Sequence, residues 1–213
     1  MKRLIRLSII LPKGAIKGVE MSLRKYRSKR DFSVTGEPEG SEESNGSSKD
    51  LLYVIQKHQA SQLHYDFRLE WRGVLLSWAV PKGPSLDPAV KRLAARVEDH
   101  PVEYGGFEGT IPEGEYGGGT VMLWDRGTWT PEVPDVDTAL RKGELKFTLN
   151  GKKLKGSWVL VRTKGYGGSK KESWLLIKHR DRYASTEDVL EKKPKSVISN
   201  RLLDEIAAGT RGR

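Results

Sequence analysis

A strict alternation of polar and apolar residues runs through residues 64–71. Successive side chains of a β-strand point to opposite faces, so this period of two predicts a strand with one apolar and one polar face. The pair Arg72-Gly73 follows and leads into an apolar run over residues 74–80, which predicts a hairpin. The apolar face carries Tyr65, Phe67, Leu69 and Trp71, and the polar face carries His64, Asp66, Arg68 and Glu70.

Further short apolar runs recur along the chain and are separated by glycine-rich turns, of which Asn150-Gly151 is the strongest hairpin signal. This pattern predicts an antiparallel barrel or sandwich, and a barrel is favoured because closure removes edge strands. The predicted fold is therefore mainly β: a small antiparallel β-barrel with a few short helices and a flexible N-terminal arm. The predicted strands are 92–98, 120–125, 128–130 (after a turn at Arg126-Gly127), 144–149, 152–155, 157–162 and 173–179, and the predicted helices are 88–93, 137–142 and 198–206.

The two ends of the chain differ in character from its middle. Residues 1–20 are predicted to be a non-native start or a disordered extension, with Met21 as the natural first residue. Residues 21–50 form a flexible arm that is basic up to residue 31 and rich in Ser, Glu and Gly after residue 36. The barrel domain is predicted to span residues 51–206, and a disordered tail residues 207–213.

Composition narrows the chemistry. The 213 residues include 38 Lys and Arg against 28 Asp and Glu, a formal net charge of +10 that suggests a polyanionic partner such as nucleic acid. Cysteine is absent, which excludes disulfides, cysteine zinc sites, iron–sulfur clusters and thiol catalysis. No apolar run approaches the ~20 residues of a membrane span. A metal site would have to use Asp, Glu, water and the four histidines His58, His64, His100 and His179.

Two histidines fall within seven residues, beside the alternating strand. His64, Asp66 and Arg68 share one face of that strand, and His58 lies just before it. Two imidazoles and a carboxylate suit a divalent transition metal, and the Arg68 guanidinium can clamp a phosphate through two hydrogen bonds. A solvated polar face is the ordinary explanation of alternation, but such a face would be rich in Lys, Glu, Thr and Ser. The composition therefore favours a metal site.

A second candidate group surrounds His100. This histidine follows Glu98 and Asp99 and precedes Tyr104 by four residues, a combination that suggests proton transfer or phosphate binding. His179 follows an apolar strand and has no ligand partner nearby in sequence, so it is predicted to be a surface residue.

Seven longer motifs stand out along the chain, at residues 26–32, 58–70, 77–85, 97–101, 107–117, 174–178 and 196–199. Together they resemble the 3′-phosphoesterase module of bacterial and archaeal DNA ligase D, and the likeness extends over about residues 22–206. The sequence departs from that family at Gly36, where a proline is expected, and in the segment before Met21. We expect a stand-alone form of the module, without a ligase or polymerase module.

The resemblance implies a manganese-dependent enzyme that removes a 3′-terminal ribonucleoside from DNA and then removes the remaining 3′-phosphate to leave a 3′-hydroxyl. Other divalent transition metals would also fit. The implied DNA partners are primer–template or ribonucleotide-terminated 3′ ends, and the implied protein partners are a separately encoded ligase and polymerase. The resemblance implies no membrane partner and a location in the cytoplasm, at the nucleoid. By position, the metal ligands would be His58, His64 and Asp66; the catalytic groups Arg68, His100 and Tyr104; further phosphate contacts Lys82 and Arg92; and residues tied to the nuclease step Arg30, Asp31, Glu37 and Glu98.

Two other functions remain open at this point. His64, Asp66 and a distal His100 match the ligand order of an Fe(II) facial-triad oxygenase on a barrel, although this does not explain Arg68. A non-catalytic nucleic-acid-binding barrel explains the charge and the fold but leaves His58, His64 and Asp66 without a role.

Overall fold

The chain forms a closed antiparallel barrel flanked by short helices. The computed structural model describes residues 13–40, 50–163 and 172–209, with side chains from residue 19 onward. In chain order the strands are β1 (Leu51–Gln59), β2 (Leu63–Trp71), β3 (Val74–Val80), β4 (Arg92–Arg96), β5 (His100–Pro101), β6 (Gly109–Ile111), β7 (Gly119–Pro131), β8 (Glu144–Gly151), β9 (Lys155–Arg162) and β10 (Ser173–Lys178). The helices are α1 (Lys13–Arg27), α2 (Val136–Lys142), α3 (Val189–Lys192) and α4 (Leu203–Ala207), with a 3-10 helix over Val102–Gly106.

Eight of these strands close the barrel. Their order is β1, β2, β3, β4, β10, β9, β8 and β7, and β7 pairs again with β1. The two-residue β5 pairs with β3, and β6 pairs with β7. This arrangement confirms the predicted mainly β barrel with short helices. None of the described helices is long and apolar enough to span a bilayer.

The barrel interior is filled by aromatic side chains. Five tryptophans are almost fully buried, and truncating one such residue to alanine typically costs about 3–5 kcal/mol. The apolar face predicted for residues 64–71 points into this core, where Tyr65 and Phe67 contact Trp124 and Trp78. The opposite face of β2 is therefore held on a rigid element. The buried tryptophans are Trp78, Trp124, Trp129, Trp158 and Trp174.

The predicted turn at Arg126-Gly127 is wrong, because β7 continues through it from Gly119 to Pro131. The pairing of β7 with β1 shifts register between Ile55 and Gln56, so β7 carries an extra residue there and can bend around the barrel. Gly127 lets β8 approach closely, since a Cβ at this position would lie 2.1 Å from the Asn150 carbonyl oxygen.

Of the three predicted helices, one is correct, one is wrong and one is helical only at its end. Residues 137–142 are helical as predicted, with the Asp135 carboxylate accepting from the Asp137 N–H and Gly143 closing α2 in the left-handed conformation. The helix predicted over 88–93 is wrong, because residues 92–96 form β4 between β3 and β10. Only the end of the segment 198–206 is helical, in α4.

The described part of the predicted arm packs on the barrel. Leu23 and Tyr26 of α1 are buried, and the Tyr26 hydroxyl donates to the Pro38 carbonyl at 2.7 Å, which folds the chain back over residues 28–38. Residues 1–12, 41–49 and 210–213, which include parts of the predicted extension, linker and tail, lie outside the described residues.

Candidate active site

A groove of about 410 Å³ opens on the polar face of the β1–β2–β3 sheet. Residues of β1 and β2 form its floor, and one wall comes from the 3-10 helix and the segment 97–100. The loop before β7 and the N-terminal arm form the other side. The groove is lined by His58, His64, Asp66, Arg68, His100 and Tyr104, with Arg30, Glu98, Tyr116 and Gly117 at its edges.

Three candidate metal ligands converge in this groove. His58 of β1 lies directly opposite His64 of β2, so both imidazoles project from the same face of the sheet. Asp66 follows His64 by two residues and shares that face. One ligand atom from each of the three residues lies within 4.8 Å of the others. This is the group that the sequence predicted, and it contains His58 rather than His100.

Backbone carbonyl groups orient both imidazoles. His58 Nε2 lies 2.9 Å from the Gly117 oxygen, and His64 Nδ1 lies 2.9 Å from the Gln62 oxygen. A carbonyl only accepts, so each of these nitrogens carries a ring proton. The other ring nitrogens, His58 Nδ1 and His64 Nε2, then face Asp66, each 3.7 Å from a carboxylate oxygen. Such fixed tautomers are typical of metal-ligating histidines, so the donor set fits a divalent transition metal.

Asp66 stays ionised despite its burial. Burial by itself raises the pKa of this carboxyl, but the Arg68 charge and the interactions with His58 and His64 outweigh it and hold the pKa well below its usual range. The pKa of His64 is raised: burial lowers it, and the interaction with Asp66 more than reverses that effect. A proton and a metal ion therefore compete for the same His64 nitrogen.

Arg68 is the buried centre of the hydrogen-bond network, with its side chain only 2% exposed. Its Nε donates to Gln56 Oε1 at 2.8 Å, and one terminal nitrogen contacts both Ser77 Oγ and His100 Nδ1. The other terminal nitrogen donates to Asp66 Oδ2 at 3.1 Å. Over the described residues, four of the five N–H groups are thus engaged. The two-point phosphate clamp predicted from sequence is not free in this arrangement, and one N–H remains for a ligand.

His100 is buried and neutral. Burial, followed by the Arg68 and Arg30 charges, holds its pKa well below the usual range. Its Nδ1 lies 2.9 Å from the Arg68 guanidinium and 2.9 Å from the Glu98 carbonyl, contacts that favour opposite tautomers. The ring packs between Tyr26 and Tyr104, whose centroids lie 5.0 and 4.9 Å away. Burial also raises the pKa of Tyr104 well above its usual value, so this phenol keeps its proton.

The N-terminal arm supplies an ionic network to the edge of the groove. Arg30 Nε donates to Glu37 Oε1 at 2.9 Å, and both side chains are at most 5% exposed. Arg30 also lies 3.6 Å from Glu98, which pairs with Lys29 at 3.1 Å. Asp31 is exposed, and its carboxylate accepts from the Ser33 N–H and hydroxyl to fix the following turn. The structure thus brings Arg30 and Glu98 to the groove, with Glu37 paired to Arg30, and leaves Asp31 outside it.

The sequence also matches a known protein family. The family model of the DNA ligase D 3′-phosphoesterase domain matches residues 56–162, about half of the chain. The chain belongs to this family. It is 54% identical to the multifunctional non-homologous end joining protein LigD of Pseudomonas aeruginosa, over 85% of this chain and 22% of that protein.

The LigD proteins of two mycobacteria are also similar. That of Mycolicibacterium smegmatis is 41% identical over 81% of this chain and 22% of its own length. That of Mycobacterium tuberculosis is 42% identical over 79% of this chain and 21% of its own length. The chain therefore spans about a fifth of the length of the curated relatives that it matches.

Two residues that were predicted to contact phosphate do not line the groove. Lys82 is exposed, directly after the lining residue Pro81, and Arg92 begins β4 opposite Leu176. His179 was predicted to be a surface residue; it is partly exposed and contacts Ser157 Oγ at 2.8 Å, outside the groove.

Sequence reasoning missed several residues that support the site. Gln56 is fully buried and joins Arg68 to the Tyr104 and Phe107 carbonyls, both 2.9 Å from its amide nitrogen. It precedes His58 by two residues, so strand periodicity could have placed it on the same face. Ser77 lies opposite Arg68 in the neighbouring strand, and this pairing becomes visible only once the β2–β3 register is known.

Proposed function

We propose that this protein is a manganese-dependent phosphoesterase that heals DNA 3′ ends. It would remove a 3′-terminal ribonucleoside as a phosphodiesterase and then the remaining 3′-phosphate as a phosphomonoesterase. Membership of the DNA ligase D 3′-phosphoesterase family supports a hydrolytic reaction at a 3′ phosphate. The names of the relatives place them in non-homologous end joining, and we propose the same setting for this chain.

The observation that carries the proposal is the position of the His58, His64 and Asp66 ligand set beside the buried cation Arg68. The groove without a metal is electrically balanced, so it has little attraction for a phosphate dianion. Two additional positive charges on a divalent ion would change that balance and make phosphate binding depend on the metal. The balanced groups are the cations Lys29, Arg30 and Arg68 and the carboxylates Glu37, Asp66 and Glu98.

In this proposal, His58, His64 and Asp66 hold the Mn²⁺ ion. When bound, the ion supplies Lewis-acid stabilisation of the negative charge that develops on the phosphate oxygens. Arg68 keeps Asp66 ionised and offers its remaining N–H to a phosphate oxygen. Its charge is fixed in place by Gln56 and Ser77, so no reorganisation is needed as the reaction proceeds.

His100 and Tyr104 act as neutral hydrogen-bond donors. The contact of His100 Nδ1 with the Glu98 carbonyl favours a proton on Nδ1, whereas its contact with Arg68, which can only donate, favours a proton on Nε2. We propose that the second tautomer takes part in the reaction. A proton on Nε2 can be donated to a phosphate oxygen or to the leaving oxygen. The depressed pKa of His100 excludes a role as a permanent positive charge at neutral pH.

The arm would serve the diesterase step. A terminal ribonucleoside has to be positioned along the strand, and misplacement by about 1 Å can cost ~100-fold in rate. Arg30, Glu37 and Glu98 form a buried network at the groove edge that can provide this positioning. We propose Lys82, Arg92 and Asp31 as outer contacts along the DNA strand. A polymerase and a ligase would then use the 3′-hydroxyl that the reaction leaves.

The test is phosphate release from a 3′-phosphorylated oligonucleotide with Mn²⁺ and with EDTA, alongside removal of a 3′-terminal ribonucleoside. We expect both activities with Mn²⁺ and neither with EDTA. Asp66→Asn should abolish both, and His179→Ala, which alters a histidine outside the groove, should retain both. No release from either end by the folded protein with Mn²⁺ would refute the proposal. Release of succinate from 2-oxoglutarate in the presence of Fe²⁺ would instead identify an oxygenase.

A further inference from the structure

One aromatic ring of the groove wall faces solvent. Tyr116 is 45% exposed, whereas Tyr104, deeper in the same groove, is 2% exposed. At this exposure, a ligand in the groove can reach the ring. The reaction proposed above gives this ring no role.

The backbone holds Tyr116 close to the metal ligands. The Gly118 N–H donates to the Glu115 oxygen at 2.9 Å, so residues 115–118 form a tight turn with Tyr116 at its tip. The next residue, Gly117, adopts φ 80° and accepts from His58 Nε2 through its carbonyl. The ring is therefore one residue away from the carbonyl that orients a metal ligand.

Two cations of the arm support the ring. Lys29 Nζ lies 4.2 Å from the ring centroid of Tyr116 and 2.7 Å from its hydroxyl, and the Arg30 guanidinium lies 5.3 Å from the centroid. The same two cations pair with Glu98, and Arg30 also pairs with Glu37. An aromatic face, cations and carboxylates thus share one edge of the groove.

This combination matches a ribonucleoside. A nucleobase stacks on an aromatic ring whatever its identity, and the hydroxyl groups of a ribose donate to carboxylates. A terminal phosphate has neither feature, and an upstream deoxyribose lacks the 2′-hydroxyl. The chemistry of this edge therefore fits the nucleoside that leaves in the diesterase step.

We propose that Tyr116 stacks on the base of the 3′-terminal ribonucleoside and so positions the leaving group. The inference rests on the proposed function. In the step concerned, water adds to phosphorus, the bond from phosphorus to the 5′-oxygen breaks, and that oxygen leaves with a proton as the free nucleoside. Tyr116 touches the leaving group without taking part in the proton transfer.

The test compares two DNA ends that differ only in the leaving group: a terminal ribonucleotide and the same ribose without its base. Stacking on one aromatic ring should make kcat/KM of the wild type roughly 5- to 150-fold higher for the end that carries the base. Tyr116→Ala should reduce this preference to near unity. Tyr116→Phe keeps the ring and loses the hydroxyl, and it should retain the preference.

Tyr183→Ala is the matched control. Tyr183 is also partly exposed and also contacts a cation, with Arg182 donating to its hydroxyl at 2.7 Å, but it does not line the groove. This variant should behave like the wild type on both ends. Thermal melts of all variants establish that each is folded.

A wild type without the preference, or a Tyr116→Ala variant that keeps it, would overturn the proposal. Equal loss of the preference in Tyr116→Phe and Tyr116→Ala would also overturn it, because the hydroxyl contact with Lys29 would then be responsible. Should the wild type cut neither end, the proposed function fails separately. In that case the stacking is tested by equilibrium binding: the ratio of the affinities for the ends with and without the base is compared between the same variants.

Discussion

Removal of one imidazole should greatly reduce the stabilisation of this protein by Mn²⁺ without unfolding it. The perturbation is His64→Ala. The His64 side chain points away from the barrel core and is 22% exposed, so its loss leaves no closed cavity. Asp66 keeps its ion pair with Arg68 at 3.1 Å in the variant. We therefore expect the metal-free variant to melt within a few degrees of the metal-free wild type.

The magnitude follows from linkage. At a Mn²⁺ concentration of 100 times Kd, binding to the folded state alone adds about 2.7 kcal/mol to the free energy of unfolding. For a protein of this size each kcal/mol raises Tm by roughly 2–4 °C, so the wild type should gain about 5–11 °C. If the loss of one of three protein ligands weakens binding ~100-fold, the same concentration adds only about 0.4 kcal/mol. The variant should then gain about 1–2 °C.

Differential scanning fluorimetry across a Mn²⁺ titration, started from EDTA-treated protein, measures both shifts. His179→Ala is the matched control, because it removes a histidine that contacts Ser157 outside the groove. A His64→Ala variant that Mn²⁺ stabilises as strongly as the wild type would refute the ligand assignment. So would a His179→Ala variant that has lost the shift.

The pH dependence of the same shift gives an independent check. The pKa of His64 is raised in the metal-free fold, so its proton contributes stability below the unfolded pKa of about 6.5. That contribution is lost as pH rises through the folded pKa. Mn²⁺ competes with the proton, and the Mn²⁺-induced rise in Tm should therefore be larger at pH 8 than at pH 5.5. A shift of equal size at both pH values would contradict histidine ligation.

Four further predictions address other parts of the molecule. The depressed pKa of His100 means that stability present above about pH 6.5 is lost as pH falls toward the folded pKa. His100→Gln should make the free energy of unfolding, measured by urea titration, depend less on pH in this range, and an unchanged pH dependence would contradict the assignment. Glu37→Gln weakens the buried Arg30 pair, so it should lower the free energy of unfolding measured in urea by about 1–3 kcal/mol. It should also slow ribonucleoside removal more than 3′-phosphate release, and equal slowing of the two reactions would argue against a positioning role for the arm. DNA affinity should fall with salt with a log–log slope of roughly −2 to −4.5 for three to five phosphate contacts, and a slope near zero in fluorescence anisotropy would place the DNA elsewhere. Gly127→Ala should destabilise the fold by about 1–3 kcal/mol because its Cβ meets the Asn150 carbonyl oxygen, whereas Gly106→Ala, with open space around it, should be tolerated. Similar chemical-denaturation midpoints for the two variants would contradict this account.

The sequence predicted those features that depend on local periodicity. The two faces of β2 were correct because side chains alternate strictly along a strand, and an aromatic face needs a core. Closure of the barrel by β1 and β7 joins residues that lie far apart in the chain, so no local pattern could identify that pair. The turn at Arg126-Gly127 was predicted wrongly for the same reason: Gly127 is explained by Asn150 in another strand.

In the candidate site, too, contacts within one hairpin were predictable and contacts from other strands were not. His58, His64 and Asp66 lie on one hairpin, so their spacing was enough to bring them together. The partners of Arg68 were not predictable in this way, because Ser77 and His100 reach it from other strands. The guanidinium was therefore predicted as a phosphate clamp, when most of its N–H groups hold the protein itself together.

The polar face of β2 also shows why exposure cannot be read from alternation alone. An alternating strand usually has one solvated face, but Asp66 and Arg68 are both buried. Tyr26 of α1 packs against His100 and Tyr104, and the Gly117 carbonyl approaches His58, so the arm and the loop before β7 cover this face. Water is thereby excluded from charges that would otherwise be screened, and each charge acts more strongly on its neighbours.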